Sequence, residues 1–343
     1  DAAMPRPTFA DPKTDFIFKR ICGSKPHKHL LIELLNVLLE LDEGQLIEDL
    51  SYLSAEERIP REEMKLSIVD VRCIDQQETQ YVVEMQLFNV AGFEERVIYN
   101  ASKAFTLQLK TAEDYNKLKG VVGVTICDFC LWPDKPQPGA FTLPMGGATG
   151  GATVPMLSRW RMHEQHTGLP GLPQLQYVFL ELPKYRAGAH PTELVDKWAL
   201  FFRDAENFAV IPPELDEDPF REAFEIARIV DLTDSEYEFY EGQKMREQDD
   251  RGMLVKAHEE GMEEGRAEER AARVAAERRA EEADEAHRHE SEARRHEAEA
   301  RVAAERRAEE EAEAHRHEAE ARRHEAEARE AAEAELREAM AEI

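Results

Sequence analysis

Residues 273–300 and 301–328 are a direct repeat of 28 residues, differing only at Ala283/Glu311, Asp284/Ala312 and Ser291/Ala319. Twenty-eight residues make four heptads, so a coiled coil has to be weighed. Each copy offers Ala, Glu, Arg and His with a single Val, which leaves an a/d seam with nothing to bury. Ala, Glu and Arg favour helix on their own. Glu290–Arg294 and Glu318–Arg322 stand at the i,i+4 spacing at which opposite charges support a helix. The expected structure is a solvated single helix, with a weak self-associating coil second and disorder third. His287 and His289 would point to different faces of that helix, so a tight metal site within it is not expected. Such a segment supplies no core. Whatever folds compactly has to lie in roughly the first 240 residues, whose composition is ordinary and whose length suffices for a real core.

The formal charge of −28 excludes a protein that coats nucleic acid over its whole surface, but not one with a local basic groove. Four cysteines in 343 residues are no disulfide framework, and a reducing, cytoplasmic location is expected. Cys127 and Cys130 form a CxxC, but no second CxxC or HxxxH supplies further zinc ligands, so buried strand cysteines are the expected reading. No run of 18 apolar residues exists, so no membrane span is expected. The opening DAAMPRPTF has no apolar signal core. It begins on Asp1, so it reads as a fragment or as a chain that starts at Met4.

Hydrophobic spacing sketches the elements. Phe16, Ile17 and Phe18 anchor a short piece, and Leu30, Leu31, Leu34, Leu35, Leu38 and Leu39 recur at helical spacing up to Gly44. Leu66–Cys73 and Tyr81–Leu87 alternate as strands around the turn Asp75-Gln76-Gln77-Glu78. A helix is predicted from Gly92 to about Lys110, strands over Val121–Phe129 and Leu175–Leu182, and helices from Pro191, over Phe220–Val230 and from about Ser235. Pro133 to Pro155 is rich in Gly and Pro and reads as a long irregular loop. Strands and helices alternate in a mixed fashion, which makes the fold class α/β.

The hairpin carries the chemistry. With the turn centred on Gln77, Asp70 lies opposite Glu84, and Glu84 shares a face with Gln86. Opposed like charges destabilise a sheet. Two carboxylates forced together among Ile68, Val69, Val71, Val82 and Val83 invite a cation between them, and oxygen ligands at this reach suit Mg²⁺ or a similar hard divalent ion such as Mn²⁺ or Ca²⁺. Gln86 could add a carbonyl oxygen or orient a water. An ion held there could polarise a phosphoryl oxygen and acidify a water. The alternative is two acids lining a solvated sheet face. No GxSxG, P-loop or dinucleotide fingerprint is present.

Lys13-Thr14-Asp15-Phe16-Ile17-Phe18-Lys19-Arg20, Leu66-Ser67-Ile68-Val69-Asp70-Val71-Arg72 and Val83-Glu84-Met85-Gln86 resemble the Rpn family of recombination-promoting nucleases, also described as PD-(D/E)XK family transposases. The likeness continues through Arg96, Tyr99, Ser102 and Gln108, then Tyr115 and Leu118, then Phe179-Leu180-Glu181-Leu182-Pro183-Lys184, Trp198 and Phe201, covering roughly residues 11–265. The Pro133–Pro155 loop and the repeats depart from it. The resemblance implies a restriction-endonuclease-like core, a mixed central sheet flanked by helices, and Mg²⁺-dependent cleavage of DNA. It makes Asp70 and Glu84 the metal ligands. The superfamily usually carries Lys where Gln86 stands, and Gln is neither a charge nor a base. Lys19 and Lys103 are the cations that could substitute, and Asp15 could be a further ligand or merely a turn acceptor. Arg96 and Tyr99 are the preferred DNA contacts. Lys13, Lys19, Arg20, Lys25 and Lys28, with Lys103, Lys110, Lys117 and Lys119, could line a groove for phosphates.

The expected organisation is a nuclease domain over 8–242, with the Gly/Pro-rich loop at 133–156, and a charged helical tail over 243–343. The expected function is a metal-dependent DNA endonuclease tied to recombination or mobile elements. The alternative is a catalytically inactive relative that binds DNA or protein, its tail a spacer or an arm for homo-oligomerisation.

Overall fold

Two short strands, β2 (Val71–Asp75) and β3 (Gln80–Gln86), pair antiparallel around the turn expected at Gln77. Asp75 builds that turn. Its Oδ1 accepts the Gln77 and Thr79 N–H groups at 2.8 Å each, and its Oδ2 accepts the Tyr81 hydroxyl at 2.8 Å. With the turn fixed, the register follows: Val71 faces Val83, Arg72 faces Val82 and Cys73 faces Tyr81. The computed structural model describes residues 7–53, 69–109, 113–133, 153–188 and 190–341. Leu66, Ser67 and Ile68, Lys110 and most of the Gly/Pro-rich stretch therefore lie outside the described residues.

The hairpin belongs to a mixed six-stranded sheet of order β1-β2-β3-β4-β6-β5. The remaining strands are β1 (Leu50–Tyr52), β4 (Val121–Cys127), β5 (Leu157–Trp160) and β6 (Leu175–Glu181). β3, β4 and β6 run parallel in the centre, and β1, β2 and β5 pair antiparallel toward the edges. β1 and β5 have no counterpart in the sequence reading, because three and four residues are too few to display an alternation.

Helices cover both faces, as expected. On one side pack α1 (Asp15–Cys22), α2 (Lys28–Leu39), α4 (Leu194–Asp204) and α5 (Phe220–Ile226). Their Leu stripe and the cluster of Trp198, Phe201, Phe202, Phe220 and Phe224 form the main core. On the other side lies α3 (Phe93–Thr106), which lays Ala101 and Ala104 on Val82 and Val121, and Phe93 and Val97 on Cys127 and Phe179. Cover on both faces explains why β3 is buried almost throughout, as interior strands of parallel sheets are.

Several boundaries differ from the sequence reading. α2 stops at Leu39, with Glu40 in the left-handed region at φ 49°, rather than at Gly44. The chain turns back there because the Asn36 amide bonds both the Ile47 carbonyl and the Ile47 N–H, at 3.0 and 2.9 Å. α3 stops at Thr106, and just beyond it Gln108 is tied to the Lys119 backbone at 2.8 and 3.1 Å. Cys127 is buried as expected, but Cys130 is exposed, because β4 ends at Cys127.

α6 (Asp234–Ala341) contains both repeats and is helical through them, as expected. The chain divides into two compact units between Met253 and Leu254. In the second unit every described side chain is exposed, and Arg294–Glu290 and Arg322–Glu318 pair at 2.7 Å each. No helix among the described residues is long and apolar enough to cross a membrane.

Candidate active site

The register of β2 and β3 ends with Val71 against Val83, and Asp70 and Glu84 are the residues next beyond that pair. Asp70 sits where the chain bends into β2, and its Oδ2 accepts the Met85 N–H of β3 at 2.7 Å. Burial pushes the Asp70 carboxyl up to about 7, and the charges of Asp15 and Glu84 push the same way. The Met85 hydrogen bond and Lys19 oppose this, with Lys19 Nζ 4.0 Å from Asp70 Oδ1. Glu84 is 5 % exposed, and burial raises its carboxyl too, against the pull of Asn100, Arg96 and Gln86.

α3 supplies the groups that hold Glu84. Asn100 Nδ2 donates to Glu84 Oε1 at 2.7 Å, and Gln86 Nε2 donates to Glu84 Oε2 at 3.3 Å. Arg96 in turn donates to Gln86 Oε1 at 2.5 Å. Arg96, Asn100 and Lys103 recur at i, i+4 and i+7, so one helical face overlooks β3. Gln86 thus stands as a neutral link between a guanidinium and a carboxylate. Asn100 was not foreseen; the one available signal was its place one turn beyond Arg96.

The other expected residues fall as follows. Asp15 opens α1 behind the N-cap Thr14 and pairs with Lys19 at 2.5 Å. Lys19 therefore reaches both Asp15 and Asp70. Lys103 is 4 % exposed, with its ammonium 5.9 Å from the centre of the Tyr99 ring, while Tyr99 itself is 36 % exposed. Lys13 does not line a groove. It is 7 % exposed, pairs with Asp11 at 3.0 Å and donates to the Phe202 and Arg203 carbonyls at 3.4 Å each. Arg20, Lys28, Lys117 and Lys119 are paired with Glu236, Asp49, Glu113 and Glu78. Among the described residues no cluster of three or more His, Cys, Asp and Glu side chains is placed to hold a metal ion.

A family model described as PD-(D/E)XK nuclease family transposase matches residues 12–138 and 152–257, well over half of the chain. The chain belongs to this family. The PD-(D/E)XK match takes in α1, the hairpin, α3 and the parallel strands, is interrupted within the Gly/Pro-rich stretch, and ends before the repeats. No curated protein matches the chain, and no solved structure does.

Asp70 and Glu84 are carboxylate oxygen donors, the ligand chemistry that a hard divalent ion takes. Burial raises both carboxyls despite Lys19 beside Asp70 and Arg96 beside Glu84, and ions of this class bind through one or two carboxylates together with water and phosphate oxygens.

Proposed function

We propose that this PD-(D/E)XK protein is an Rpn-type endonuclease that hydrolyses DNA phosphodiester bonds with Mg²⁺, or Mn²⁺ in its place, held by Asp70 and Glu84. The observation that carries the reading is geometric: the Asp70 carboxyl accepts the Met85 N–H at 2.7 Å, next to the buried Glu84, with Lys19 at 4.0 Å; burial pushes both carboxyls up. Lys19, Asn100, Gln86 and the Met85 N–H offset the burial only in part, since both carboxyls stay raised, and a divalent ion would add the positive charge that is still wanting. When bound, the ion polarises a phosphate oxygen and lowers the pKa of a water.

The chain's own residues have separate tasks in this proposal. Asn100 and Gln86 fix the Glu84 carboxylate so that one rotamer meets the ion. Arg96, always charged, lies at the open side of Gln86 and meets a phosphate oxygen of the bound strand. Tyr99, exposed one residue before Asn100, supplies an adjoining contact. Lys19 orients Asp70 and keeps Asp15 within its reach, and Lys103 completes the cationic side of α3. Gln86 cannot act as base, so the attacking water loses its proton to solvent or to a phosphate oxygen.

Supercoiled plasmid is the direct test. The full chain is expected to nick or linearise it with Mg²⁺ and to leave it intact in EDTA. The same assay on a chain ending at residue 272 is expected to give the same rate, because the family match ends at residue 257 and the repeats are solvated helix. No cleavage by the full chain would overturn the reading, and loss on truncation alone would give the repeats a part in it.

A further inference from the structure

The sheet face that carries Glu84 continues across the parallel strands into an aromatic strip. Glu84 pairs in register with Thr125, Thr125 with Phe179, and Phe179 with Ser158. Side chains of one register row share a face, so Glu84, Phe179 and Ser158 lie in one row, and Trp160 follows Ser158 on the same face. The Arg96 guanidinium lies 5.6 Å from the Phe93 ring centre, and Phe93 meets Phe129 edge-on at 5.3 Å. Phe93, Phe129, Phe179 and Trp132 pack in one cluster. Trp132 stands edge-on to Phe179 at 4.8 Å and lies against Trp160 at 4.6 Å with the planes 35° apart.

The end of this strip is held from below. The buried Glu181 carboxylate accepts the Leu131 and Trp132 N–H groups at 2.7 and 3.2 Å, which fixes the backbone that carries Trp132. Trp160 Nε1 donates to the buried Ser158 hydroxyl at 3.0 Å, which fixes the plane of the indole. Trp160 has its polar atom satisfied and Trp132 on one side, and it is still 41 % exposed. A large indole held rigid and left open is poised to stack on a flat partner.

We propose that Trp160, backed by Trp132, is a stacking platform for an unpaired base of the DNA strand that reaches the carboxylate pair. The proposal rests on the nuclease reading above. From Glu84 on β3, which Arg96 adjoins through Gln86, the row crosses three strand spacings, about 14 Å, to β5, which carries Trp160. That is the scale of a few nucleotides of one strand. Bases inside a duplex have both faces stacked already, so a single indole face takes a base only where the strand is unpaired. The platform thus selects DNA with a single-stranded stretch next to the cut.

The test is binding without cleavage. In EDTA, fluorescence anisotropy of labelled oligothymidylate and of a blunt duplex of equal length is measured with the full chain, Trp160→Ala and Trp160→Phe. Trp160→Ala is expected to weaken single-strand binding about ten-fold or more and to leave duplex binding unchanged. Trp160→Phe keeps a ring and is expected to retain most of the affinity. Binding is also expected to quench tryptophan emission in the full chain and not in Trp160→Ala. No single-strand binding by the full chain, unchanged affinity in Trp160→Ala, or an equal loss on duplex would each overturn the platform. The two readings fail separately. A plasmid left uncut with Mg²⁺ while Trp160-dependent binding persists removes the nuclease and keeps the platform; the reverse removes only the platform.

Discussion

Asp70→Asn is expected to lower Mg²⁺-dependent cleavage by about a hundred-fold or more, while making the metal-free protein more stable at pH 8. Groups that merely support metal ligands cost up to about a hundred-fold when changed, and a ligand costs more than its supports. The stability effect has the opposite sign because of burial. Asp70 is raised from 3.8 to about 7 in the folded chain. Between those values the folded state holds a proton that the unfolded state has released, so stability falls as pH rises through this window and stays low above it. Asn carries no charge and escapes the loss, on the order of a few kcal/mol. Melting curves in EDTA should therefore favour the variant at pH 8 and converge near pH 4. Adding Mg²⁺ at pH 8 should raise the melting temperature of the parent and not of the variant, since only the parent gains a ligand bound to the folded state. A variant that cuts as well as the parent would move the chemistry elsewhere.

Lys184→Ala is expected to destabilise the first unit by about 3 kcal/mol or more, the cost of leaving a buried charge without its partner. Glu181 is fully buried, and Lys184 Nζ meets its Oε1 at 2.8 Å. The same ammonium donates to the Val154 carbonyl at 2.8 Å, so it joins the end of β6 to the chain entering β5. Glu181 keeps its two backbone donors in the variant, which spares part of the loss. Urea titration measures the effect through the midpoint at constant slope. The double variant Lys184→Met, Glu181→Gln, which removes both charges and keeps an oxygen for the Leu131 and Trp132 N–H groups, should recover part of it. If Lys184→Ala unfolds at the parent's midpoint, the pair contributes no stability.

The hairpin was legible in the sequence because a turn of fixed residues sets a register and side chains alternate along the paired strands. Those two rules alone give the expectation that Asp70 lies opposite Glu84, and the register follows it as far as Val71 against Val83. The long helices were legible because Leu30 to Leu39 repeat at the helical period. Lys13 was not, since its partners in the Phe202 and Arg203 carbonyls lie about 190 residues away. Asn100 was not, since a lone Asn in a helix carries no pattern and its task appears only once α3 lies across β3. The end of α2 was misplaced at Gly44 because a residue other than Gly, Glu40, takes the left-handed conformation. The strand at the sheet's edge that carries Trp160 was hidden by its brevity.

The pairing of Asp70 and Glu84 around one divalent ion is tested most directly by counting ions. Electron paramagnetic resonance of Mn²⁺ measures the free ion during titration at pH 8, for the full chain and for the double variant Asp70→Asn, Glu84→Gln. Weak binding to the acidic tail is common to both and cancels. The expected result is one more Mn²⁺ bound by the parent, displaced by excess Mg²⁺ and weakened at pH 6, where Asp70 must first give up its proton. Identical titration curves for parent and folded double variant would contradict the account.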